Sequence, residues 1–378
     1  MRERRLKICL ICDARSIHYK RWIRDLKESG HEVTVISPWK EQIAGQDVDI
    51  VSTPRAPFPM LTPVKTVLKM LYRLYLGRRL RGKIRSIEPD ILHAHFLTDS
   101  GWIASWTGFH PLIVTVHGSD ILIHPRKSLI YRACVRHVLK RADRVAYVAR
   151  HFKPALEQYG AGGQTLRHIP NYVDPEFITK RERIDRKKET LSSKPVIISA
   201  RTLEPIYDVR TVIDAIPDVL RKHPGARFLI IGDGVERKWL QDLSVELGVA
   251  DRIEFTGRID HSELISYYRQ GHIYVSTARS DGLSVTTLEG LAAGLYPILT
   301  DIPANSSIIT DSENGLLFTR SDSSQLARCI NRAIEDPEKY IAACEENVNM
   351  INSRHTRQKV LESMEKEYFE LITESEMK

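Results

Sequence analysis

The sequence predicts two doubly wound α/β domains in tandem, each a parallel sheet covered by helices on both faces. Three observations carry this. At 378 residues, 42% hydrophobic and 28% charged, the chain has material for two cores and is not collagen-like, mucin-like or broadly disordered. Short, almost continuously apolar runs alternate with longer amphipathic ones, as doubly buried strands and their crossover helices require. The alternation then stops at a charged stretch and restarts beyond it.

In the first half Leu6–Cys12, Val33–Ser37, Ile91–Ala94, Leu112–Val116 and Val145–Val148 read as strands. In the second half Pro195–Ala200, Phe228–Ile231, Ile253–Phe255, Ile273–Ser276 and Pro297–Thr300 do so. The stretch between, Thr179–Lys194 (TKRERIDRKKETLSSK), is apolar-poor and reads as a linker or a solvated helix leading into one. The expected division is a first domain at 1–180, a linker at 181–194, a second domain at 195–353 and a C-terminal amphipathic helix at 354–378 whose docking site the sequence does not assign. In such sheets ligands bind outside the carboxyl ends of the strands, so two domains facing across a cleft would present strand-end loops to it.

Charge separates the halves. Residues 1–180 hold 30 basic and 16 acidic side chains and the remainder 26 and 32, so a net +8 conceals +14 and −6. From Ile50 to Ile87 there is no acid, while Lys65, Lys69, Arg73, Arg78, Arg79, Arg81, Lys83 and Arg85 interleave with Leu68, Leu71, Tyr72, Leu74, Tyr75 and Leu76. Lys65, Lys69 and Arg73 recur every four residues, which predicts an amphipathic basic helix, within residues 61–87, suited either to an anionic membrane surface or to packing on the domain's sheet with its cations solvated. Nucleic acid is not expected as a partner, since no recognition module accompanies the basic stretch. No run approaches the roughly 20 apolar residues of a membrane span, and the apolar stretch behind Met1–Lys7 is too short for a secretory signal. The five scattered cysteines suit a reducing compartment, with Cys9 and Cys12 inside a strand and buried. The expected location is cytoplasmic, either free or peripheral on the inner face of the cell membrane.

Ser276–Thr300 (STARSDGLSVTTLEGLAAGLYPILT) carries the most chemistry. A strand ends near Thr277, a polar loop holds Asp281 and Gly282, a helix runs from about Val285 to Ala293, and Gly294 closes it. The helix N-terminus then stands at a strand's carboxyl end, where free N–H groups and the positive dipole end suit a phosphate. Asp281 in the loop and Glu289 in the second helical turn, seven residues between them, flank one ligand. The same residues also read as structure alone: Thr286-x-x-Glu289 is a capping box and Asp281-Gly282 a turn. His93-Ala94-His95 shares a strand face but has no further ligand at metal spacing, and Gly232-Asp233-Gly234 lacks the third glycine of a dinucleotide fingerprint.

Around that segment stand HGSD (His117–Asp120), IPNYVD (Ile169–Asp174), SART (Ser199–Thr202), IGDG (Ile231–Gly234), FTGRI (Phe255–Ile259) and NGLLF (Asn314–Phe318). In this order and spacing, with a carboxylate, seven residues, Glu and an Ala/Gly-rich helix, nearly the whole chain resembles the retaining glycosyltransferases of family 4, which have the GT-B fold. The resemblance implies hexosyl transfer from a UDP-, GDP- or ADP-sugar to a carbohydrate or lipid-linked acceptor, in surface polysaccharide, lipopolysaccharide or glycolipid synthesis, with no metal or cofactor. It assigns catalysis to His117, Arg201, Asp281 and Glu289. Arg201 would pair with the donor diphosphate, whose oxygens its planar fork matches. Asp281 would meet sugar hydroxyls, with Gly282 and the amides of Leu283, Ser284 and Val285 beside sugar and diphosphate. Glu289 would accept from the ribose hydroxyls, Gly257, Arg258 and Ile259 would lie by the nucleobase, and Tyr207, Gly232 and Gly234 would complete the donor side. His117 would point toward the anomeric centre; Arg15, Ser16, His18, Asp120 and Asn171 would lie on the acceptor side.

The sequence also departs from the family pattern. The stretch after Arg201 is one residue longer than usual, and Tyr207 stands near the place of a second phosphate-binding lysine. Asp281 stands where Glu is commoner, Tyr172 replaces a glycine, and the first loop (Asp13–His18) lacks a Gly-Gly pair. These leave two alternatives open: a nucleotide-sugar-binding or assembly protein that does not turn over, or a nucleotide-sugar epimerase of the same fold.

Overall fold

The structure, a computed structural model, describes residues 5–14, 16–37, 49–52 and 63–377. Its contacts form two compact units, Met1–Pro170 with Leu361–Lys378, and Asn171–Val360. Among the described residues the first unit has seven strands: β1 (Lys7–Ile11), β2 (Glu32–Ser37), β3 (Asp49–Ser52), β4 (Ile91–His95), β5 (Leu112–Val116), β6 (Arg144–Tyr147) and β7 (Leu166–His168). They form one parallel sheet in the order β3-β2-β1-β4-β5-β6-β7. Central β1 pairs on both sides, Ile8 opposite Val33 and Ile91, and its residues from Ile8 on are buried.

The second unit has six described strands, β8 (Val196–Ala200), β9 (Arg227–Ile231), β10 (Ile253–Gly257), β11 (Ile273–Ser276), β12 (Tyr296–Thr300) and β13 (Leu316–Phe318). They run parallel in the order β10-β9-β8-β11-β12-β13. Ile197, Phe228, Ile230, Ile273, Val275 and Ile298 supply the strand side of its core. The helix Arg210–Lys222 buries Val212, Ile213, Ile216 and Val219, one stripe of a 3.6-residue period, and packs against the helix Ser323–Glu335. Full burial of each such side chain contributes about 1.5–3 kcal/mol.

In both sheets the order of the strands reverses once, between β1 and β4 and between β8 and β11. The crevice beyond the carboxyl ends at such a reversal is where doubly wound sheets hold ligands.

Several expectations are corrected. The segment 181–194 is no free linker: Arg181–Leu191 is a helix of the second unit with Ile184, Lys187 and Leu191 buried. The second unit begins at Asn171, and the C-terminal helix, Arg357–Glu376, finds its dock on the first unit. There Glu367 pairs with Arg144 and Arg167, Glu365 accepts from His31, and the Tyr368 hydroxyl lies 2.7 Å from His93 Nδ1. The basic segment is a helix, Pro63–Ile87, but Arg73 does not belong to a solvated stripe. It is buried, paired with Asp99 and donating to the Thr98 carbonyl at 3.0 Å. Residues 61 and 62 of that segment lie outside the described residues. Cys9 and Cys12 are buried as expected, and burial pushes the Cys9 thiol up to about 12.

Candidate functional site

At the β8/β11 reversal the first residue beyond β8 is Arg201, and the loop beyond β11 delivers Asp281 and Ser284. The Arg201 guanidinium is 7% exposed and held from several sides. It donates to Asp281 Oδ2 at 2.5 Å and to the Ser284 hydroxyl, and it lies 4.1 Å above the centre of the Tyr207 ring. Burial alone would lower its pKa, but the Asp281 charge, with Tyr274 and Tyr207, outweighs that and raises it. Its Nε is buried with no hydrogen-bond partner among the described residues. A fixed, fully charged fork with an unsatisfied N–H is an anion-binding element.

Tyr207, near the place of a lysine, is therefore the platform on which Arg201 stacks rather than a second cation. Asp208, next in the chain, adopts a left-handed conformation (φ 48°). The Asp208 carboxylate accepts from Arg279 at 3.1 Å and from Ser321 at 2.6 Å, and the Tyr207 carbonyl accepts from Thr277 at 2.7 Å.

The helix is Val285–Ala292, and Ser284 is its N-cap, accepting from Thr287 N at 3.3 Å. Thr286-x-x-Glu289 is thus not a capping box. Thr286 turns its hydroxyl to the Tyr274 hydroxyl at 3.0 Å. Glu289 is wholly buried and its Oε1 accepts from His261 Nε2 at 2.7 Å. A buried carboxyl group needs such a hydrogen-bond partner. Gly294 takes φ 70°, and a Cβ there would meet Ile184 at 2.9 Å, so the expected closing glycine is required twice over.

The other donor-side residues follow the strand ends. Gly232 and Gly234 lie beyond β9, where a Cβ would come within 2.1 Å of the Arg201 carbonyl and 2.3 Å of the Leu203 carbonyl. Their role is close backbone approach: they let the Arg201 loop settle on β9. Gly257 closes β10 and accepts from Gly232 N at 2.9 Å; Arg258 is exposed and Ile259 half-buried beside it. Asp281 also accepts from Gly282 N at 2.8 Å, which fixes the loop before Leu283, Ser284 and Val285. Asn171, expected on the acceptor side, belongs to the second unit and donates to the Leu283 carbonyl at 2.6 Å, bracing this loop.

His117 lies just beyond β5 in the first unit. Its Nε2 is 3.2 Å from His95 Nδ1, and Tyr19 packs edge-on at 5.5 Å. Asp120, expected to face an acceptor, is wholly buried. Its carboxylate accepts from the amides of Leu97, His117 and Gly118, so it shapes the turn that carries His117. Burial pushes it up to about 6 against the pull of those amides. His93 stacks on His95 at 4.3 Å and has hydroxyls at both nitrogens, Tyr368 and Thr115, each at 2.7 Å. Ser16 precedes the helix Ile17–Glu28 and His18 stands in its first turn; Arg15 lies outside the described residues. The residue that sequence reading missed is His261, whose only sequence signal is its place at the start of a helix two residues past Ile259.

Two family models match: "Glycosyl transferase 4-like" over residues 7–149 and "Glycosyl transferases group 1" over 180–350. Among curated relatives, a GDP-mannose-dependent α-(1-6)-phosphatidylinositol monomannoside mannosyltransferase of Mycolicibacterium smegmatis is 24% identical over 82% of this chain and 83% of its own. Among solved structures, sucrose-phosphate synthase from Thermosynechococcus elongatus superposes with a TM-score of 0.81 at 16% identity, covering 98% of this chain and 100% of that one. Anabaena HepE, solved with UDP and glucose, gives 0.75 at 17% identity over 96% and 98%. With both units matched in order, the chain belongs to the family 4 type of GT-B glycosyltransferases.

Proposed function

We propose that the protein transfers a hexosyl group, with retention, from a nucleotide diphosphate sugar to the hydroxyl of a lipid-linked or polysaccharide acceptor. The carrying observation is the buried Arg201 fork, clamped by Asp281 and Ser284 at the N-terminus of the helix that bears Glu289. As the bond between sugar and diphosphate breaks, charge grows on the diphosphate while the sugar becomes oxocarbenium-like. Arg201 and the free N–H groups of the helix are preorganised for the first change. Asp281, beside the same guanidinium, is placed for sugar hydroxyls, and Glu289 for the ribose. The acceptor's proton passes to the departing phosphate, so no protein nucleophile is needed. Both the mannosyltransferase relative and HepE are consistent with a GDP or UDP carrier. Thermal-shift titration with UDP, GDP and ADP sugars should find one donor that stabilises by about 2.7 kcal/mol at a hundred times its Kd. Glu289→Ala should abolish that shift and the release of nucleotide diphosphate. If no sugar nucleotide shifts the wild type, the reading falls.

The acceptor side includes a membrane surface in this reading. The helix Pro63–Ile87 leaves Val67, Leu68, Leu71 and Tyr75 exposed, Leu71 and Tyr75 by more than half (55% and 54%). Arg78, Arg79, Arg81, Lys83 and Arg85 follow, all exposed. The exposed apolar side chains and the cations are separated along the helix rather than onto opposite faces, so its first half would meet the acyl boundary and its second half anionic headgroups. Four of these five exposed cations would contribute roughly 4 kcal/mol. Sedimentation with vesicles containing phosphatidylglycerol should carry the protein down, and Leu71→Ser/Tyr75→Ser or high salt should release it. Equal binding to neutral vesicles would remove the electrostatic part of the reading. Among the described residues no helix is long and apolar enough to cross a membrane.

A further inference from the structure

We infer that His261 is a positioning residue for nucleotide recognition: it holds the Glu289 carboxylate in the orientation that accepts the ribose hydroxyls. The inference rests on the reading of this unit as a nucleotide-sugar site.

Several independent contacts fix the imidazole. Its backbone opens the helix His261–Gln270, pinned by a reciprocal cap in which Asp260 accepts from the amide of Glu263 and Glu263 accepts from Asp260 N at 3.3 Å. The Phe177 ring, 3% exposed, packs at 5.2 Å, and Phe177 is itself set edge-on against Tyr268 at 6.0 Å. Nε2 donates to Glu289 Oε1 at 2.7 Å, and Nδ1 faces Asp174 Oδ2 at 4.0 Å. The ring is 23% exposed, while the Glu289 side chain is fully buried.

The chemistry follows from that asymmetry. A carboxylate accepts from both hydroxyls of a ribose diol only when its oxygens are correctly turned. The Glu289 side chain is fully buried, and an N–H donor on one oxygen stops rotation about the terminal torsion. The donor comes from a different helix, 28 residues earlier in the chain, so the geometry of the pair is set by tertiary packing and not by the flexibility of either side chain. The helix cap and the Phe177 ring therefore set the imidazole, and Asp174 stands 4.0 Å from the other ring nitrogen, beyond hydrogen-bond reach.

The test compares UDP, GDP and ADP with their 2′,3′-dideoxy counterparts by calorimetry, on the wild type, His261→Ala and His261→Gln. The wild type should prefer the ribonucleotide over the dideoxy form by about tenfold or more. His261→Ala should lose about tenfold for the ribonucleotide and almost nothing for the dideoxy form, collapsing the ratio. His261→Gln, whose Nε2 keeps a donor near the same place, should restore most of the ratio. The melting temperature of each variant without ligand reports folding separately. Equal weakening of both ligands in a folded His261→Ala, or an unchanged ratio, overturns the inference while leaving the nucleotide-sugar reading intact. A wild type that binds nucleotide but ignores the ribose hydroxyls overturns it through Glu289. A wild type that binds none of the nucleotides overturns the proposed function together with it.

Discussion

Replacing Arg201 by alanine should lower turnover of the nucleotide-sugar donor by about a thousandfold at saturating donor, measured as nucleotide diphosphate released. Removing one preorganised charge donor from a buried site usually costs a hundred to a thousandfold. Three features of this site place Arg201 at the upper end. The guanidinium is a buried cation that donates to Ser284, the N-cap of the helix Val285–Ala292, and Tyr207 stands near the place of a second. It is preorganised by Asp281, Ser284 and the Tyr207 ring, so its full donor geometry is ready before the donor arrives. Without it, Asp281, 17% exposed, becomes a carboxylate that repels the incoming diphosphate. Arg201→Lys keeps the charge but loses the fork and the stack, and should recover no more than about a tenth of the wild-type rate. A variant Arg201→Ala that kept a third of the wild-type rate would place diphosphate stabilisation elsewhere.

The parts of this site that were legible in the sequence are those whose neighbours in space are neighbours in the chain or obey a fixed spacing. Asp281, Ser284 and Glu289 sit on one loop and helix, and Arg201 directly follows an obvious strand, so doubly wound topology brings them to one reversal point. His261 meets Glu289 only through packing, and Asp120 and Asn171 read as ligand contacts because nothing local shows that their side chains turn inward to hold backbone groups.

The fold shows the same division. Ten strands announce themselves as apolar runs, whereas β3, β7 and β13 stand at sheet edges and are three or four residues long, too short for a period to show. The packed face of the helix Arg181–Leu191 does not show in the sequence because a lysine interrupts its buried stripe of Ile184 and Leu191. Arg73 misled in the same way, a cation on a packed face. The charge contrast survives in weaker form: the first unit holds 31 basic and 20 acidic residues and the second 25 and 28, because the returning C-terminal helix brings carboxylates with it.

That buried lysine leads to the second large effect. Lys187 is 6% exposed and its Nζ donates to the carbonyls of Tyr268, at 3.0 Å, and Ala293, at 3.1 Å. These carbonyls lie at the C-terminal ends of His261–Gln270 and Val285–Ala292, the helices that carry His261 and Glu289. One ammonium therefore satisfies the negative ends of both. Burial, with Arg183 as a smaller like-charge contribution and Cys344 opposing, pushes Lys187 down to about 7. Because the folded value lies below the unfolded one near 10.4, the unfolded chain binds the extra proton between them. Stability from this group is thus lowest below pH 7, where both states are protonated, and rises as pH increases through that window. The limiting slope is about 1.4 kcal/mol per pH unit. In denaturant melts of wild type and Lys187→Met, the difference in unfolding free energy should be small near pH 6.5. A methionine of similar length there trades two hydrogen bonds for the removal of a desolvated charge. By pH 9.5 the neutral amine keeps both carbonyls satisfied at no charge cost, and the wild type should lead by roughly 3 kcal/mol. Parallel pH profiles for the two proteins would mean that Lys187 keeps its ordinary pKa and that the helix ends are held by packing alone.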